Sequence, residues 1–76
     1  MNDFNFGIYL LEKGFAYSNY GEHQLYELTK EEVDYCINLQ GDKMTANDSK
    51  TNDLKIDVPT PKNSKEADKF LKQFFS

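Results

Sequence analysis

The sequence has no arginine and a single cysteine, and each shortage argues against a class of function. Cys36 has no second cysteine with which to form an intrachain disulfide, and no basic segment precedes a long apolar run as in a secretory signal. No apolar stretch approaches the roughly 20 residues that span a bilayer. We therefore expect a cytoplasmic protein with no membrane partner.

Because arginine is absent, the nine basic residues are all lysine, and the chain offers no guanidinium group for bidentate contact with phosphate or guanine. The net charge is −4 and is unevenly distributed. Residues 1–42 carry eight acids and two lysines, whereas residues 43–76 carry seven lysines and five acids. An acidic surface repels the phosphate backbone, so we expect no direct binding of nucleic acid. The same surface would attract a basic protein.

Alternation of apolar residues with small or polar ones predicts strands in the N-terminal third. Phe4–Leu10 alternates in this way, as a half-buried strand does. Glu12–Gly14 then fits a hairpin loop, and Phe15–Tyr20 a returning antiparallel strand rich in aromatic residues. Gln24–Leu28 is predicted as a third short strand. The alternative is a helix that begins near Glu22 and includes those residues.

An α-helix is predicted over Leu28–Gly41, with signals at both ends. Thr29 and Glu32 have the spacing of a capping box, and Gly41 suits a left-handed helix stop. The apolar face of this helix would consist of Val33, Cys36 and Ile37, and its polar face of Glu31, Asp34, Tyr35 and Asn38. We therefore expect Tyr35 to be exposed among acids.

The C-terminal half contains a polar stretch, a strand and a second helix. Residues 41–53 lack apolar periodicity and are predicted to form a mobile loop. Leu54–Val58 alternates as a strand, which Pro59 would end. A helix capped by Asn63 or Ser64 follows, with a phenylalanine-rich apolar face.

Together these elements predict a single small α+β domain over residues 1–76. The predicted order is β-β-(β)-α-β-α, with two helices packed on a three- to four-stranded antiparallel sheet.

Residues that could carry catalysis or bind a metal are sparse. His23 has no partner ligand or base with a recognisable spacing, and Cys36 falls on the predicted buried face. There is no glycine-rich phosphate loop. We therefore expect a non-enzymatic protein without a metal or cofactor.

The positive signal is that all five tyrosines lie in the acidic half of the chain. A tyrosine ring supplies rigid contact area and a hydroxyl, while neighbouring carboxylates steer a basic partner. The alternative is that Tyr9, Tyr17 and Tyr26 only cover a sheet. The predicted partner-binding residues are Tyr20, Glu22, Glu27, Glu31, Asp34, Tyr35 and Asn38.

In size, acidity and lack of a catalytic set, the chain resembles small phage-encoded inhibitors such as anti-CRISPR proteins. This resemblance in composition implies an inhibitor that docks on a basic nucleic-acid-binding enzyme. Two alternatives are an acidic antitoxin or immunity protein, and a small assembly subunit that associates with itself through the C-terminal helix.

Overall fold

The computed structural model describes residues 4–21, 23–50 and 54–75 and has the α+β class that the sequence predicts. The sheet contains five strands rather than three to four, in the order β1-β2-β3-β4-β5, with every neighbouring pair antiparallel. The elements are α1 (Phe6–Glu12), β1 (Ala16–Tyr20), β2 (His23–Lys30), β3 (Val33–Gln40), β4 (Lys43–Asp48), β5 (Leu54–Pro59) and α2 (Ser64–Phe74).

The strand predicted over Phe4–Leu10 is wrong, because this segment forms α1. The Asn5 side chain caps the helix by accepting a hydrogen bond from the backbone N–H of Ile8 at 3.1 Å. Phe6 and Leu10, four residues apart, then lie on one buried face. In so short a segment, the same apolar residues fit both the alternation of a strand and the spacing of a helix. The N-terminal cap and the tertiary packing favour the helix.

The hairpin loop predicted at Glu12–Gly14 is instead the C-terminal end of α1. The N–H of Phe15 donates to the carbonyl of Leu10 at 3.0 Å, and the N–H of Gly14 donates to Leu11 at 3.1 Å. These two bonds form a Schellman motif, which places Gly14 in the left-handed region with a φ of 100°. The glycine therefore ends a helix rather than turning a hairpin.

The helix predicted over Leu28–Gly41 is also wrong, because β2 and β3 form a hairpin there. Glu31 and Glu32 make a two-residue turn with positive φ angles of 52° and 68°, as a type I′ turn requires. Thr29 lies opposite Asp34 across the hairpin and donates a hydrogen bond from its Oγ1 to the carboxylate at 2.6 Å. The residues that resembled a capping box are therefore used in a turn and a cross-strand bond.

The predicted loop contains a strand, β4, over Lys43–Asp48. Gly41 does adopt a left-handed φ of 68°, but within the tight turn between β3 and β4 rather than at the end of a helix. Met44 and Ala46 alternate into the core from β4, although the polar residues around them hide this pattern in the sequence. Residues 51–53 lie outside the described part of the chain.

The other predicted elements are confirmed. Strands appear at β1 and β5, and the third predicted strand lies within β2, which excludes the alternative helix beginning near Glu22. Helix α2 is capped by Asn63, whose side chain accepts from the N–H of Glu66 at 2.9 Å.

Both helices pack on the same face of the sheet. Gly7 of α1 lies against the hydroxyl of Tyr26, and the rings of Phe74 and Phe75 meet Tyr35 edge-on at centroid distances of 5.1 and 4.8 Å. The core therefore lies between the helices and this inner face, and the opposite face of the sheet carries neither α1 nor α2.

Candidate protein-binding surface

The sheet face that carries neither helix is the candidate functional surface, called the outer face below. Side chains alternate between the two faces of a strand, so the residues that alternate with buried ones must lie on the outer face. On β3, Tyr35, Ile37 and Leu39 are buried. The side chains of Asp34, Cys36, Asn38 and Gln40 therefore lie on the outer face. By the strand register, Ser18, Leu25, Glu27, Thr45 and Asn47 share that face.

Acidic side chains extend from the centre of the outer face to its end at the β2–β3 turn. Glu27 and Asp34 lie on the face itself, and Glu31 and Glu32 occupy the adjoining turn, all of them exposed. The backbone of Asp34 is held on both sides: its N–H donates to Ser49 Oγ at 2.9 Å, and its carbonyl accepts from the N–H of Ser49 at 3.0 Å. These two hydrogen bonds fix the position of the Asp34 backbone.

The other end of the outer face carries a polar cluster around His23. The amide nitrogens of Asn38 and Gln40 lie 3.3 and 3.4 Å from His23 Nδ1. These contacts gather three polar side chains at this end of the face. Lys43 pairs with Gln40, and Asp42 lies exposed in the adjoining turn, so this end carries one basic and one acidic side chain rather than a cluster of acids.

Cys36 lies half-buried near the centre of the outer face rather than on the buried face that the predicted helix would give it. Burial raises the pKa of its thiol, and the negative charge of Glu27, its cross-strand neighbour, raises it further. Because the nucleophile is the thiolate, this environment lowers the reactivity of the sulfur. Cys36 therefore contributes a small side chain of low reactivity to the centre of the face.

The structure brings together three of the predicted partner-binding residues and removes one. Glu27, Asp34 and Asn38 share the outer face, and Glu31 lies in the turn beside it. The expectation that Tyr35 is exposed is wrong, because its side chain is only 6% exposed and packs under α2. Tyr20 is the last residue of β1, with only its backbone described, and Glu22 lies outside the described residues.

The remaining tyrosines do not form a recognition surface with the acids. Tyr26 is buried, and the partly exposed Tyr17 packs against it on the inner side of the sheet with ring centroids 5.1 Å apart. Tyr9 is half-buried and donates a hydrogen bond from its hydroxyl to the carboxylate of Asp68, which ties α1 to α2. Burial, this hydrogen bond and the charge of Asp68 raise the pKa of Tyr9 to about 12. These rings stabilise the fold.

Sequence reasoning missed two exposed residues of β5, Leu54 and Ile56. Their alternation with Val58 predicts three buried side chains, yet Leu54 and Ile56 are 55% and 63% exposed. The cause is a bulge opposite Met44 and Ala46, where Asp57 takes a positive φ of 57°. A single residue in the left-handed region shifts the alternation, and no motif in the sequence marks it.

Comparisons with known proteins add no assignment to this surface. No protein-family model matches the chain, and no curated protein or solved structure matches it either. Over residues 4–21, 23–50 and 54–75, no three His, Cys, Asp or Glu side chains are grouped to hold a metal ion. Within the same part of the chain, no helix is both long and apolar enough to cross a membrane.

Proposed function

We propose that the chain is a small non-enzymatic inhibitor that docks the outer face of its sheet on a basic protein, such as a nucleic-acid-binding enzyme. One observation carries this proposal: a five-stranded sheet leaves a whole face free of its two helices, with Glu27 near the centre and Asp34 and the Glu31–Glu32 turn towards one end. A sheet face that neither helix covers is accessible to a partner, and the carboxylates on it steer a basic one.

The distribution of lysines supports the direction of docking. Lys65, Lys69 and Lys72 are exposed on α2, which packs on the inner face and is therefore separated from the acids by the thickness of the molecule. Glu66 and Asp68 of the same helix offset two of these lysines, so α2 carries a net charge of +1, against four exposed acids on the outer face and its adjoining turn. A basic partner would therefore be attracted more strongly to the outer face than to α2.

The test uses two charge reversals that change the net charge equally. Glu27→Lys alters the outer face, and Glu12→Lys alters an exposed acid on α1. After a partner has been captured from the native host, we expect Glu27→Lys to weaken its affinity about tenfold, or ~1.4 kcal/mol, and to reduce the association rate most at low salt. Glu12→Lys should bind as the unaltered chain does.

Equal affinities of the two variants, or a greater loss for Glu12→Lys, would contradict the placement of the surface. Inhibition by the chain of the captured partner's activity separates an inhibitor from an inert binding protein. An antitoxin or immunity protein would use the same surface, and capture of a co-encoded toxin or bacteriocin would identify it.

Self-association through the C-terminal helix has less support. Phe74 is buried, and Phe75 is half-buried against Tyr35 and Phe15, so these rings contribute to the core of their own chain. The phenylalanine-rich face on which this alternative depends is therefore already covered.

A further inference from the structure

Two exposed aliphatic side chains extend the outer face at its β5 edge. Leu54 pairs with Asn47, which places it in one row across four strands with Cys36 and Glu27. Neighbouring strands lie about 4.8 Å apart, so Leu54 and Glu27 are separated by about 14 Å along this row. Apolar and acidic contacts are thus available to a single partner.

The backbone at this edge is guarded against pairing with another strand. The bulge at Asp57 interrupts the regular ladder, and Pro59, the last residue of β5, has no N–H to donate. Both features limit edge-to-edge association. The exposure of Leu54 and Ile56 therefore suits contact through side chains across the face, rather than addition of a strand to the edge.

We propose that Leu54 and Ile56 are apolar anchors of the docking surface, and that the partner segment is a helix combining basic with aliphatic side chains. This inference rests on the proposed function and specifies its partner. The negative charges of Glu27 and Asp34 are complementary to basic side chains on the partner helix. The exposed pair on β5 is complementary to its aliphatic side chains. At about 1.5 Å per residue, a helix crossing the strands would carry the two groups about ten residues apart.

The test uses synthetic peptides as the probe and the full chain labelled for NMR. The first peptide has about 20 residues, enough for a helix to form, with lysines near one end and leucines about ten positions away on the same face. A second peptide replaces the leucines with serine, and a third replaces the lysines with glutamate. We expect the first peptide to shift resonances of β2, β3 and β5 and to bind at least tenfold more tightly than the other two.

The chain offers a matched control for the anchor residues. Ile8 and Leu11 of α1 are a second exposed aliphatic pair, 56% and 47% exposed, on the helical side. We expect Leu54→Thr/Ile56→Thr to weaken binding of the first peptide about tenfold and Ile8→Gln/Leu11→Gln to leave it unchanged. Threonine retains strand preference and glutamine retains helix preference, so both variants should keep the fold, which their amide spectra report.

Unchanged binding by the β5 variant, or resonance shifts confined to α1 and α2, would overturn the inference. Tight binding of the glutamate peptide would overturn it as well. These outcomes are distinct from failure of the proposed function, because Glu27→Lys could still abolish binding of the captured host partner while Leu54→Thr/Ile56→Thr had no effect on it. In that case a basic partner docks on the outer face without the aliphatic anchors.

Discussion

The turn between β2 and β3 gives the sharpest test of the fold, because the hairpin and the predicted helix require opposite results. Glu31 and Glu32 both have positive φ, at 52° and 68°. Left-handed backbone costs an L-residue roughly 1–2 kcal/mol. The perturbation is replacement of the pair by Asn-Gly, the sequence preferred in type I′ turns.

The magnitude follows from the two positions taken separately. Glycine at position 32 removes about 1–2 kcal/mol of strain, offset by about 0.4–1 kcal/mol because the unfolded chain gains freedom. Asparagine at position 31 tolerates the left-handed region better than glutamate, and we assign it about half of the local strain. The net gain in the free energy of unfolding is about 1–2 kcal/mol, or roughly 4–16 °C in Tm for a chain of this size.

Thermal and urea denaturation of the two chains measure this gain. A Glu31→Gln/Glu32→Gln variant is the control, since it removes the same charges but keeps the ordinary backbone preference. In the predicted helix, Asn-Gly would instead destabilise the chain, because both residues are poor helix formers and Glu32 would be lost from the capping box. A loss of stability in the Asn-Gly variant, or an equal gain in the Gln-Gln control, would refute the reasoning from backbone strain.

Two further predictions concern the packing of α1. Gly7→Ala should destabilise the chain by about 1–3 kcal/mol in urea unfolding, because a Cβ at this position would overlap the hydroxyl of the buried Tyr26. Adding Tyr26→Phe should recover most of the loss, and equal stabilities of the single and double variants would contradict this close approach. Tyr9 has a pKa of about 12 in the fold, so its contribution is complete below pH 10, where the unfolded side chain also keeps its proton, and is lost as pH rises towards 12. Tyr9→Phe should therefore lose less stability than the unaltered chain above pH 10, and a phenolate absorbance titration in which every tyrosine ionises near 10 would oppose the prediction.

The elements that sequence reasoning predicted correctly are those whose local and tertiary signals agree. In α2 the Asn63 cap, the first-turn Glu66 and the spacing of Ala67, Leu71 and Phe74 all indicate the same helix. The segment from Leu28 to Gly41 contains two patterns instead. Val33, Tyr35, Ile37 and Leu39 alternate as in a strand, while Thr29 and Glu32 have the spacing of a helix cap. Giving priority to the cap produced the wrong element, because pairing on both sides of β3 outweighs one local capping signal.

Predicting a helix instead of β3 also placed Tyr35 wrongly in the candidate surface. On a helix, Tyr35 would lie beside Asp34 and Asn38, but on a strand neighbouring residues point to opposite faces, so Asp34 and Asn38 remain on the surface while Tyr35 enters the core. None of the described side chains on the outer face is a phenylalanine or a tyrosine, so the apolar contact area that they supply is aliphatic. On the outer face that area is supplied by Leu54 and Ile56, whose exposure results from the bulge at Asp57. Deleting Asp57 would remove the extra residue of the bulge but keep Leu54 opposite Asn47 and Lys55 opposite Ala46, so Leu54 and Ile56 should stay on the outer face. Binding of the first peptide should therefore survive this deletion, whereas Leu54→Thr/Ile56→Thr should weaken it although every acid is retained.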